Sequence, residues 1–166
     1  MYLTYAHGYG WYRASAFQPV WATSYSDALE IMKQSVQGEK ADELFYDELI
    51  RLAPGKEQAD IIASIRDDER GHNRMFREIL HELTGQPVGE GGQETPKKPS
   101  SYAEGLKTAL FGELGAVERY RKLWFGLPAG IYKDTVFGIM LDELRHADKY
   151  NYLIGQVGPA KAGGKR

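Results

Sequence analysis

Four long stretches of the chain repeat inward-type positions at alternating steps of three and four residues, the period of a helix that buries one stripe. The first runs through Leu29, Met32, Val36, Glu39, Glu43, Tyr46 and Ile50, and the second through Ile62, Ile65, Glu69, His72, Phe76, Ile79 and Leu83. The third takes in Ala103, Leu106, Leu110, Glu113, Val117, Tyr120 and Trp124, and the fourth Val136, Ile139, Glu143, His146, Tyr150, Leu153 and Val157. Each stripe is apolar at its ends and carries acids or a histidine further in. The polar residues therefore lie in the buried seam, not beside it.

Local signals bound these helices. Ser24 or Ser26 can cap the first, with Asp27 and Glu30 favouring its positive end, and Pro54-Gly55 stops it. The second is expected from about Glu57 to Leu83, followed by the aperiodic Gly/Pro stretch "TGQPVGEGGQETPKKPSS". Ser101 and Glu104 have capping-box spacing at the start of the third, which ends near "GLPAG"; the fourth is expected from about Lys133 to Ile154. The expected organisation is an aromatic-rich segment at 1–23, an all-α four-helix bundle over 24–157, and a tail at 158–166. The bundle comprises hairpins 24–84 and 101–157 joined by a long crossover at 85–100.

Charge and composition narrow the function classes. Lysine and arginine number 21 against 23 acids, a net charge of −2, which gives no electrostatic case for nucleic acid. Cysteine is absent, which excludes disulfides, thiolate zinc sites, iron–sulfur clusters and a cysteine nucleophile. No apolar run approaches a membrane span, and the N-terminus lacks a basic region followed by an apolar one. No membrane partner is expected, and a cytoplasmic location is the expectation.

The two halves align without a gap at an offset of 74 residues. Gly38, Glu39, Tyr46, Leu49, Pro54, Ile65, Asp68, Glu69 and His72 recur as Gly112, Glu113, Tyr120, Leu123, Pro128, Ile139, Asp142, Glu143 and His146. Two copies are too few for a solenoid, so a closed bundle of two hairpins is the better reading. Glu39 and Glu69 lie equally far before and after Pro54, roughly 22 Å along helix, and Glu113 and Glu143 are placed the same way about Pro128. Each hairpin thus brings two Glu and one His to one layer at mid-bundle.

A buried layer of carboxylates with no Lys or Arg in it is costly unless compensated. Two divalent ions would neutralise four carboxylates, and carboxylate oxygen with imidazole suits iron or manganese. The Glu-x-x-His spacing puts both side chains on one helix face, one turn apart.

Two Glu-bearing helices alternating with two Glu-x-x-His helices resemble the ferritin-like diiron carboxylate proteins, most of all the rubrerythrin (erythrin) and bacterioferritin branch. The resemblance covers residues 27–157. It implies two iron ions, or manganese or a mixed pair, held by Glu39, Glu69, His72, Glu113, Glu143 and His146, with Glu69 and Glu143 bridging. It implies that Asp68 and Asp142 accept the far imidazole N–H of the opposite hairpin's histidine; the alternative is a solvated acid beside the stripe. Tyr46 and Tyr120 would hydrogen-bond ligand carboxylates, against the alternative of simple core packing.

Departures from the family pattern shape the expectation. Rubrerythrins carry a further Glu three residues after the third-helix ligand, where this chain has Ala116, so the ligand set is six, as in bacterioferritin. The rubredoxin module is missing, and the chain after Ile154 is too short for the fifth helix of ferritin cages, so a large cage is not expected. Glu43 breaks the repeat opposite Val117 and is a seventh ligand, a proton donor or an arginine's partner. His7 and His81 read as surface residues. The expected function is a non-haem dinuclear-metal oxidoreductase acting on hydrogen peroxide or dioxygen, of peroxidase or ferroxidase type, with a separate electron donor. In it Tyr46, Tyr120 or Glu43 would relay protons. The alternative is a structural or spore-coat protein keeping a metal site for stability. The aromatic N-terminal segment is compatible with coat association, with dimerisation or with covering the bundle.

Overall fold

The computed structural model describes residues 23–37, 39–89 and 98–158, with backbone alone at 39 and 40. The expectations for 1–22, for the middle of the crossover, for the tail beyond 158, for His7 and for the Glu39 side chain lie outside the described residues. What is described is an all-α bundle of five helices: α1 (Tyr25–Ser35), α2 (Glu39–Leu52), α3 (Lys56–Thr84), α4 (Tyr102–Gly126) and α5 (Ile131–Gly155). Among the described residues no helix is long and apolar enough to cross a membrane.

The helix starts follow the capping chemistry. Ser24, not Ser26, caps α1: its hydroxyl accepts from Asp27 N at 3.1 Å, and Ser24 N donates to the Asp27 carboxylate at 3.3 Å. Ser101 caps α4 by accepting from Glu104 N at 3.2 Å. α3 ends where Gly85 turns left-handed (φ 69°) and its N–H reaches the His81 carbonyl at 2.8 Å.

One boundary corrects the sequence reading. The first helix is not continuous but breaks after Ser35, although its stripe carries on across the break. The Arg77 guanidinium supplies the reason. It donates to the Val36 carbonyl at 3.0 Å, to the Val88 carbonyl at 3.2 Å and to Asn73 Oδ1 at 2.6 Å. A carbonyl held by arginine need not find a helical N–H four residues on. Gly38 is not sufficient cause, because its repeat mate Gly112 sits inside the unbroken α4. The mate of Arg77 is Asn151, which is too short to make the same staple.

The core divides in two. Ala28, Met32, Val36, Phe76, Ile79, Leu80, Tyr120, Leu123, Val136 and Ile139 belong to one apolar cluster. Leu49, Ile62, Ile65, Leu106, Ala109, Tyr150 and Leu153 form the other. Along α3, α4 and α5 the residues between the two clusters are Glu69 and His72, Glu113, and Glu143 and His146. The polar layer is thus sandwiched between two apolar cores. At the far end, α1 lies hard against α4: a Cβ on Gly126 would fall 2.6 Å from the Ser24 carbonyl oxygen and 2.7 Å from Ala28 Cβ. Gly126→Ala is therefore expected to cost about 1–3 kcal/mol of unfolding free energy in a urea titration, since neither backbone nor Ala28 can swing aside.

Candidate metal centre

Three helices deliver the polar layer. Glu69 and His72 come from α3, Glu113 from α4, and Glu143 and His146 from α5. His146 is 0 % exposed and Glu143 1 %. The ligand-type atoms of Glu69, Glu113, Glu143 and His146 all lie within 4.8 Å of one another; bonds of about 2.0–2.2 Å span at most ~4.4 Å, so small side-chain shifts would bring all four onto one ion. His72 flanks this group, its Nδ1 3.2 Å from Glu143 Oε1 and 3.5 Å from Glu69 Oε1. On the other side His146 Nδ1 is 3.0 Å from Glu69 Oε1 and 3.7 Å from Glu113 Oε2. The two imidazoles stack with centroids 5.8 Å apart. Of the six residues expected as ligands, five meet here; the sixth, Glu39, begins α2.

Each imidazole is held from behind by the other hairpin. His72 Nε2 lies 3.2 Å from Asp142 Oδ2, and His146 Nε2 lies 3.1 Å from Asp68 Oδ2. Anchoring Nε2–H on a carboxylate fixes the tautomer and turns Nδ1 into the cluster. Arg145, which sequence reasoning missed, ties the two aspartates together: its Nη2 is 3.0 Å from Asp68 and 2.9 Å from Asp142. Its repeat mate is Gly71, so one arginine serves both. The signal was present as a cation three residues after Asp142, but nothing in the period says which acid it would reach. Asp68→Asn and Asp142→Asn are each expected to weaken metal binding about 10–100-fold in a chelator competition, with the fold kept.

The charges of the layer have been moved far from their ordinary values. Burial opposes protonated imidazole, yet the surrounding carboxylates win: Glu143 and Glu69 push His72 up to about 10, and Glu113 and Glu69 do the same for His146. Burial raises Glu143 well above the usual carboxylate range, helped by hydrogen bonding to Glu113 and the negative charges of Glu69 and Glu113. Burial pulls Glu69 the same way, but the imidazoles of His146 and His72, 3.0 and 3.5 Å from its Oε1, hold it below that range. The layer in the metal-free protein is thus a store of protons as well as of carboxylates.

Whether the donors fit a cation can be judged from what they fail to do. Glu69 Oε1, His72 Nδ1, Glu143 Oε1 and His146 Nδ1 are buried and have no hydrogen-bond partner among the described residues. They approach one another at ion-pair distance but not in hydrogen-bonding geometry. Each unsatisfied buried group costs about 1–3 kcal/mol, and four in one place are hard to sustain without something that engages all of them. A hard or borderline cation does so, taking oxygen and imidazole nitrogen together. The donor set fits.

The remaining expected residues fall unevenly. Tyr46 reaches the layer, its hydroxyl donating to Glu113 Oε1 at 3.3 Å. Burial, with the charge of Glu113 next, keeps its phenol well above the ordinary range and so protonated. Tyr120 is buried and packs edge-on against Phe76, centroids 5.0 Å apart; by the repeat its carboxylate partner would be Glu39, whose side chain is outside the described residues. Glu43 meets the last of its three alternatives: it pairs with Arg70 Nε at 2.5 Å, with about a third of its side chain exposed. Arg70 could not be placed opposite Glu43 from periodicity alone, because it lies outside the stripe of α3. His81 is exposed, as expected. Tyr150, in the stripe of α5, carries a fully buried hydroxyl that neighbours Tyr46 but meets no hydrogen-bond partner in good geometry among the described residues. A cleft of about 860 Å³ opens onto the layer, with Tyr46, Glu69, Glu113, Tyr120 and Glu143 in its wall.

In comparisons with known proteins, no family model, no curated sequence and no solved structure matches this chain.

Proposed function

We propose that the chain is a ferritin-like, internally duplicated dinuclear-metal oxidoreductase that reacts with hydrogen peroxide or dioxygen, in the manner of a rubrerythrin-type peroxidase or a ferroxidase. The observation that carries this reading is the set of four buried donor atoms on Glu69, His72, Glu143 and His146 that have no hydrogen-bond partner among the described residues, with both imidazoles backed by aspartates of the opposite hairpin. Glu39, Glu69, His72, Glu113, Glu143 and His146 would hold two iron or manganese ions, with Glu69 and Glu143 shared between them. Such ions would supply one-electron redox chemistry, which none of the chain's own side chains offers in a resting state.

The protein's part is to position and to protonate. Asp68 and Asp142 hold the imidazoles, and Arg145 holds the aspartates, so the donors are set before any ligand arrives. Tyr46 keeps its proton on a hydroxyl oxygen 3.3 Å from Glu113 Oε1, next to the layer and on the cleft wall. The cleft gives a small oxidant a route to the carboxylates while the apolar clusters on either side exclude bulk water.

The size of that cleft favours one second reading. At about 860 Å³ it exceeds what peroxide needs and lies in the range that holds small organic molecules, so the oxidised substrate would be organic. Peroxide consumption by the iron-loaded protein with a generic electron donor, followed with and without added organic co-substrates, separates the cases. Turnover above the free-iron background supports the oxidoreductase. No turnover by fully loaded protein contradicts it and leaves the structural or coat role.

A further inference from the structure

The second hairpin presents an outer face that does not suit water. Among the described residues Phe111 (61 % exposed), Leu114, Phe137, Leu141 (49 % exposed) and Leu144 all lie open on α4 and α5. The first hairpin shows what a solvated version of this face looks like. At the 74-residue offset its residues are Gln37, Lys40, Ala63, Asp67 and Arg70. Asp67 and Arg70 there form a surface ion pair at 3.1 Å, where the second hairpin has Leu141 and Leu144. The same backbone position has been made polar in one copy and apolar in the other. That contrast points to a cover over the second copy alone.

The pattern of charge identifies the cover. Along α4 the outward row is Glu104, Lys107, Phe111, Leu114, Glu118 and Arg121, again in alternating steps of three and four. Turned end for end about the midpoint between Phe111 and Leu114, this row complements itself: Phe111 meets Leu114, Lys107 meets Glu118, and Glu104 meets Arg121. Glu118 already pairs with Arg121 of its own helix at 2.5 Å, and an opposing Lys107 would extend that pair into a network. On α5 the pair Leu141 and Leu144 lies as far beyond Pro128 as Phe111 and Leu114 lie before it, roughly 22 Å. One two-fold axis can therefore cross both helices at the same height.

We propose that the outer face of α4 and α5 is the interface of a two-fold homodimer, with α4 packed antiparallel on α4 of a second copy. The area is adequate. α4 has 25 residues, about 37 Å of helix, and two helices side by side are about 20 Å wide. That offers roughly 750 Å² per protomer, close to the ~800 Å² per partner of a standard stable interface. The self-complementary surface is isologous, so the assembly closes at two copies.

Light scattering and sedimentation of the full chain at about 50 µM, well above the Kd expected of such an area, test this. The wild type is expected at twice the chain mass. Leu141→Asp/Leu144→Arg transplants the first hairpin's residues and is expected to give a monomer with unchanged circular dichroism. Lys107→Glu sets like charges face to face and is expected to weaken the dimer at least about tenfold; Lys107→Glu/Glu118→Lys is expected to restore it. A monomeric wild type would overturn the proposal, leaving the face to another protein or to residues 1–22. So would a dimer that survives the leucine replacements, or a double charge variant no tighter than the single one.

Discussion

Glu143→Ala and Glu69→Ala are each expected to take the protein from about two bound metal ions per chain to well below one. Both carboxylates stand at the centre of the layer. Glu143 Oε1 is 3.2 Å from His72 Nδ1, and Glu69 Oε1 is within 3.5 Å of both imidazoles. A carboxylate shared between two ions serves both, so its loss is not confined to one. The fold is expected to survive, because the apolar clusters above and below the layer are untouched and an imidazole that loses a carboxylate neighbour can give up its proton. Elemental analysis beside circular dichroism reads both outcomes. Retention of one full equivalent in either variant would deny that residue a shared role.

The second large effect is the dependence of metal affinity on pH. In the metal-free protein His72 and His146 titrate at about 10, so both carry protons across the neutral range. Metal can take Nδ1 only when the proton on that face of the ring has left. Binding must therefore expel protons, and the direction follows. Raising the pH lowers the cost of expulsion and tightens binding; lowering it weakens binding. Two imidazole protons correspond to about a hundredfold change in affinity per pH unit between roughly pH 6 and 8. Glu143, whose burial also keeps it protonated in the absence of metal, steepens the slope further. Calorimetry in buffers of different ionisation enthalpy counts the protons directly. A binding enthalpy that does not change with buffer would contradict this charge distribution.

Much of the site can be read from periodicity because the layer sits in the seam. A helix stripe that turns from Ile62 and Ile65 to Glu69 and His72, then back to Phe76, leaves those polar groups nowhere to go but inward. The matched distances about Pro54 and Pro128 then set their heights, since helical rise is nearly constant. The crossed pairing of His72 with Asp142 and His146 with Asp68 follows the expectation drawn from the resemblance. Side chains off the stripe were not legible. Arg77, Arg70 and Arg145 each decide something: where the first helix breaks, what neutralises Glu43, and how two aspartates are joined. Long flexible cations can reach several acids, and one-dimensional spacing does not choose among them. The outward row on α4 is the converse case. Its period was there to be found, but only the folded structure distinguishes an uncovered apolar seam from a buried one.

Anaerobic titration of the metal-free protein with ferrous iron, followed to saturation, tests most directly whether the layer binds two metal ions per chain. The expected result is a break at two ions per chain for the wild type, absent in Glu69→Ala. Saturation at one ion, or uptake no greater than in the Glu69→Ala variant, would contradict it.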